Sequence, residues 1–217
     1  MKISQVNLID ILGKGEFADL ASTLSRRKFN RGAIIFNPYE AENLVLIVAK
    51  GKVRVYISCE EKEFTLAILS RGDIYATHTR AFVTAMEETE LFVTGVNTVR
   101  RRLAEIPEFT GSMVHVLGNM LKNAFSIIES LAFKDTAARL SDILMTEARQ
   151  TGTHEGKGLA FHAGLTVEEL AKVVGASRQT VSSLLNGWIR EGLIEKRGRK
   201  GYFVPDPDRL EKMGRGR

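Results

Sequence analysis

The sequence predicts an α+β fold with an antiparallel β-roll first, one long helix next and a winged helix-turn-helix last. Three observations predict it. Apolar residues alternate with a period of two as far as Val96, the signature of half-buried strands, and take up helical spacing after Pro107. Turn signals recur along the first part at Arg31-Gly32, Asn37-Pro38, Lys50-Gly51 and Arg71-Gly72. Near the C-terminus two short apolar-periodic segments flank Gly175-Ala176, and each opens on a hydroxyl residue, Thr166 or Ser177.

Taken in order, two amphipathic stretches, Asn7–Leu12 and Glu16–Leu24, precede the strands. Strands are expected at Ala33–Phe36, Asn43–Ala49, Lys52–Ile57, Glu63–Leu69, Ala81–Met86 and Glu90–Val96. Val53, Val55 and Ile57 share one face of their strand, and Phe64, Leu66 and Ile68 one face of the next, so a hairpin with one buried side is expected there. Pro107 suits the first turn of a helix that runs to Phe133. That helix carries two apolar stripes. Met113, Leu117, Met120, Ala124, Ile127 and Leu131 follow the spacing of a coiled-coil seam, and Val114, Gly118, Leu121, Phe125 and Ile128 lie beside them. A helix buried on both sides within one chain would explain the pair; a dimer seam plus a face turned to the roll explains it better. The expected divisions are 1–106 for the roll, 107–133 for the dimerisation helix and 134–217 for the winged module.

Composition narrows the class. The 217 residues are 44% hydrophobic and 26% charged, an ordinary globular balance. The one cysteine, Cys59, cannot form an internal disulfide framework, a four-cysteine zinc site or a cysteine-ligated iron–sulfur cluster, and suits a reducing compartment, the cytoplasm. The apolar run Leu44–Ala49 falls far short of the ~20 residues that span a bilayer, and no export signal opens the chain, so neither membrane insertion nor export is expected. Net charge is +5, and residues 133–217 hold 15 Lys+Arg against 11 Asp+Glu, which accounts for four of those five charges. The basic end is therefore the place to look for nucleic acid.

There, Thr166 caps a helix Val167–Val174, Gly175-Ala176 makes the turn, and Ser177 caps a second helix to about Glu191. Leu170, Val174, Val181, Leu184 and Leu185 supply the shared core. Arg178, Gln179 and Ser182 leave the first turns of the second helix, where base edges would lie. Arginine can bond guanine O6 and N7 together, glutamine can pair with adenine, and Thr180 and Ser183 are short enough to reach phosphate. A basic turn, Arg197-Gly198-Arg199-Lys200-Gly201, tips the wing, and Arg199 and Lys200 join the expected DNA contacts.

The roll, the long helix, the Phe133-Lys134-Asp135 hinge and the run Gly175-Ala176-Ser177-Arg178-Gln179-Thr180-Val181 resemble the CRP/FNR family of bacterial transcription regulators over nearly the whole chain. The resemblance implies a cyclic-nucleotide-binding-like roll and a homodimer. It further implies double-stranded DNA with two-fold related half-sites about one turn apart, and RNA polymerase, as partners. Arg178 and Gln179 take the principal base-reading positions, while Ser183 stands where the cAMP-responsive members often have a second arginine. Those members also share a Gly-Glu followed by Arg-Ser that binds the cyclic phosphate, and the segment from Gly72 to Ala81 departs from that pattern. The oxygen sensors' cysteine cluster is likewise absent.

That same segment, the strand Phe64–Leu69 and Val116-Leu117-Gly118 resemble the haem-based carbon monoxide sensors of the superfamily. The resemblance implies haem b (iron protoporphyrin IX) as cofactor and CO as effector, with His78 as one axial ligand and the N-terminal amine, here that of Met1, as the other. Val114, Leu117, Gly118 and Leu121 would form an apolar wall on the distal side. CO would displace the amine and shift a homodimer to its specific DNA-binding, activating state. Ala76 stands where the best-known type has a ferric-state cysteine, so a thiolate-to-histidine redox switch is not expected. A regulator of the same fold that answers to another small effector without haem is the alternative. An enzyme is not expected: Gly72, His78 and Arg80 echo a cupin motif but lack its second histidine.

Overall fold

The computed structural model describes residues 24–39, 43–105, 107–198 and 200–214, and for 102–105, 107–113, 115 and 116 the backbone alone. The stretch before residue 24, including Met1 and the amphipathic segments, lies outside the described residues, as does Arg199. The chain divides into two compact units, Met1–Ser126 and Ile127–Arg217.

The first unit is a roll of two four-stranded antiparallel sheets. In one, β1 (Ser25–Phe29), β8 (Thr89–Gly95), β3 (Leu44–Lys50) and β6 (Ile74–Ala76) are neighbours in that order. In the other the order is β2 (Ile34–Phe36), β7 (Phe82–Ala85), β4 (Val53–Cys59) and β5 (Lys62–Leu69). Phe36, Leu46, Val48, Val53, Val55, Leu69, Val83 and Leu91 fill the space between the sheets. All six expected strands form. Strands β1 and β6 were not expected: β1 is almost wholly exposed and basic, and β6 has three residues, so neither shows alternation in sequence.

One expected face is corrected. Val53 and Val55 point inward, but Ile57 is exposed, and on β5 it is Ala67 and Leu69 that are buried while Phe64 and Ile68 are only half-buried. The break in register between Val55 and Tyr56 exchanges the faces of β4 beyond it, whereas β5 alternates unbroken with Thr65, Ala67 and Leu69 inward, Ala67 and Leu69 lying opposite Val55 and Val53.

Helices α1 (Val96–Glu105) and α2 (Pro107–Phe133) follow. The second unit begins within α2 and continues with α3 (Thr136–Thr151), a β9–β10 hairpin (Thr153–Glu155, Gly158–His162), α4 (Val167–Val174), α5 (Arg178–Arg190), the β11–β12 wing (Glu195–Arg197, Gly201–Val204) and α6 (Pro207–Gly214). Strands β11, β12, β10 and β9 form a third sheet. Its core joins Leu140, Leu144, Leu170, Val174, Val181, Leu185, Trp188, Ile194 and Leu210. The β9–β10 hairpin is not among the expected elements, because β9 is fully exposed and carries no apolar signal.

Candidate nucleic-acid interface and sensor site

Helix ends position the C-terminal site. At the start of α4 the Thr166 hydroxyl accepts from the Glu169 amide at 3.2 Å and the Glu169 carboxylate accepts from the Thr166 amide at 2.6 Å, a reciprocal cap. Gly175 ends the helix at φ +69°, in the left-handed region that a side chain disfavours, and its amide bonds back to Ala171. Two residues on, the Ser177 hydroxyl accepts from the Thr180 amide at 3.0 Å and starts α5. Its apolar side, Val181, Leu185 and Trp188, is buried, so the opposite side of the first turn is free.

Arg178, Gln179, Thr180 and Ser183 are exposed on that free side and Ser182 is half-buried. Thr180 is partly engaged already, its hydroxyl 2.8 Å from that of Ser177. In the wing, a Cβ at Gly201 would strike the Arg197 carbonyl, so glycine is required for β11 and β12 to close. Lys200 is half-buried, with its ammonium donating to the Gly164 carbonyl at 3.1 Å. Arg197 pairs with Glu155 at 2.6 Å and lies over the Phe203 ring. The wing's cations thus partly serve the fold, a use that its basic sequence does not reveal.

In the roll, His78 is the middle residue of a single 3-10 turn, Thr77–Thr79, that follows β6. Its imidazole is exposed while its neighbours are fixed. Thr77 is buried and its hydroxyl accepts from the Leu44 amide at 2.8 Å. Tyr75 is buried in the roll core and its hydroxyl bonds to Thr79; burial pushes the phenol's pKa up, and the Thr79 bond opposes this only in part. Asp73, also buried, accepts from the Ser70 amide at 2.8 Å and anchors the preceding turn. Nothing in the local sequence marks the Thr77–Leu44 tie, whose partners are 33 residues apart.

Along α2 exposure does not follow the two stripes. Met120 is half-buried against the roll core and Ile127 is half-buried. Val114, Leu117, Leu121, Phe125 and Ile128 are 64%, 61%, 56%, 61% and 60% exposed, and Leu131 and Ala124 are exposed with them. The seam expected through Met113, Leu117, Met120, Ala124, Ile127 and Leu131 is thus divided between the two faces, and the Met113 side chain lies outside what is described. A Cβ at Gly118 would meet nothing within 4 Å. Glycine there is not needed by packing within the chain, although it costs about 1 kcal/mol against alanine in a helix.

A capped helix-turn-helix with a small wing, following an antiparallel roll and a long helix, defines a class of two-part, DNA-binding transcription regulators. The Crp-like helix-turn-helix domain matches residues 138–213. A CooA double mutant from Carboxydothermus hydrogenoformans is 37% identical, covers 99% of this chain and 100% of its own, and superposes with a TM-score of 0.90. The haem domain of CooA from the same organism is 42% identical over 60% of this chain and 96% of its own, with a TM-score of 0.51. The CRP-like cAMP-activated global transcriptional regulator of Mycobacterium tuberculosis is 28% identical over 206 residues, 91% of this chain and 92% of its own. The chain belongs to the CRP/FNR family of transcription regulators; it is a regulator and not an enzyme. Among the described residues no helix is long and apolar enough to cross a membrane.

Proposed function

We propose that this protein is a haem-dependent, CO-responsive transcription activator that acts as a homodimer in the cytoplasm. The observation that carries the reading is His78, a solvent-facing imidazole on a turn whose two neighbours are held by the roll. Its fit to haem rests on two further points. Among the described residues no group of three or more His, Cys, Asp or Glu is placed to hold a metal ion, whereas a porphyrin brings four nitrogens and asks the protein only for axial groups. Gly118 leaves room beside an exposed apolar row, where a Cβ would have no partner among the described residues.

In this reading His78 and the Met1 amine would hold the haem, and Val114, Leu117, Gly118 and Leu121 would form its apolar wall. When bound, haem would supply an iron able to take CO. The chain's own part is to hold His78 in place, to exclude water with the α2 wall, and to pair α2 with its counterpart in a second copy. That pairing would cover the row from Val114 to Leu131 and set two α5 helices for half-sites one DNA turn apart. Arg178 and Gln179 would read base edges, with Thr180, Ser182, Ser183, Arg199 and Lys200 around them, and RNA polymerase would be the downstream partner. Moving such a dimer from 1:99 to 99:1 takes about 5.5 kcal/mol of differential binding, so a change of axial ligand and repacking along α2 both have to contribute.

Response to a cyclic nucleotide, as in the mycobacterial relative, is the second reading. The buried polar residues described in the roll are Thr65, Asp73, Thr77, Thr89 and Thr94; Arg54, its side chain 12% exposed, is paired with Glu63 at 2.7 Å, and Arg80 is exposed. The test is the spectrum of the reduced protein purified with haem available, with and without CO. A Soret band that CO shifts, and that His78→Ala loses or displaces, is expected. A protein that takes up no haem, or an unchanged spectrum in His78→Ala, overturns the assignment.

A further inference from the structure

Arg139, half-buried in the first turn of α3, reaches three acceptors at once. Its Nε donates to the Val174 carbonyl at 2.8 Å, one terminal nitrogen to the Lys134 carbonyl at 2.6 Å, and the other to Thr136 Oγ1 at 3.3 Å. Lys134 is one of the two non-helical residues that join α2 to α3, and Val174 is the last residue of α4, next to the Gly175 turn. A carbonyl at the C-terminal end of a helix has no amide of that helix to accept from and sits at the negative end of the dipole, so a cation is favoured there. The planar guanidinium holds two carbonyls in fixed relation through charge-assisted bonds; a lysine ammonium in its place would lack that fork.

We propose that Arg139 is a positioning residue that ties the α2–α3 hinge to the turn of the helix-turn-helix, so that a change in the hinge backbone reaches the start of α5. The Lys134–Asp142 ion pair, 2.5 Å apart, touches the same hinge but not α4, and so provides an internal control. This inference rests on DNA binding by the family and needs neither haem nor CO.

The test uses the full chain and a duplex selected by the wild-type protein from a random-sequence pool. Arg139→Gln is expected to weaken binding to that duplex about tenfold while leaving binding to unrelated duplex within about twofold. Asp142→Asn should stay within about twofold of wild type. Without DNA, amide hydrogen exchange at residues 175–180 should speed up in Arg139→Gln and, to a lesser degree, in Arg139→Lys. Lys134→Gly, which loosens the hinge, should speed the same amides in the Arg139 background and add little in Arg139→Lys. The exchange measurements decide the matter even where Arg139→Gln folds poorly or no duplex is selected. Wild-type exchange in Arg139→Lys, strict additivity of the hinge and arginine changes, or an equal loss in Asp142→Asn overturns the proposal.

Discussion

The C-terminal unit meets the needs of its site residues within one chain, whereas the roll and α2 leave theirs open. Around α5 the cap, the left-handed glycine and the buried Val181–Leu185–Trp188 side are all supplied locally, and the exposed residues are polar. Along α2 a row of large apolar residues is exposed, and His78 is exposed on a turn that Thr77 and Thr79 tie to the roll. The contrast is that the free side of α5 is polar and needs no cover, while α2 leaves a large apolar row open that, in the proposed dimer, a second copy would cover.

Breaking the open side is expected to have the largest effect. Leu121→Glu with Phe125→Glu puts charges into the exposed row; both units should keep their folds by circular dichroism, because these residues contribute to neither described core. Sedimentation should show a monomer, and affinity for a two-half-site duplex should fall by on the order of 10²- to 10⁴-fold as the second contact is lost. In the finished unit, Leu170→Ala removes a side chain 1% exposed and should cost about 2–5 kcal/mol, read as a lowered unfolding transition of that unit by calorimetry. Arg178→Ala should leave that transition unchanged and cost about 1–3 kcal/mol in specific DNA binding, with relaxed preference at one base pair.

The smallest expected effect lies on the roll surface. Hydrogen bonding from Arg26, with a second contact from Lys28, holds the Glu90 carboxyl below its ordinary pKa. A carboxylate whose pKa is depressed in the folded state stabilises above its unfolded value, and that contribution is lost as pH falls through the folded value. Glu90→Gln should therefore lower the roll's melting temperature slightly at neutral pH, with the difference from wild type vanishing in acid.

How much could be read from sequence follows the same divide. Thr166, Gly175, Ser177 and the core positions between them act within a few residues of one another, so their spacing alone places α4 and α5. The span of α2 was equally plain from Pro107 and its apolar period, but which stripe faces out depends on what the roll packs against it, and Met120 is the residue that packs there. On β4 a one-residue break in register reversed a face that strict alternation had set, and on β5 the pairing of Leu69 with Val53 put the other face inward. Arg139 gives no local signal because one of its acceptors is 35 residues away. His78 was singled out by resemblance; the structure adds the two ties, Thr77 to Leu44 and Tyr75 to Thr79, that hold its turn.

The central claim is that occupancy of the sensing half sets the reading half. It is tested most directly by titrating the selected duplex with haem-loaded, reduced protein, with and without CO, at two salt concentrations. CO should tighten specific binding by about tenfold or more and leave the salt slope, which counts phosphate contacts, nearly unchanged. Equal affinity with and without CO, in protein whose spectrum shows CO bound, would contradict the account.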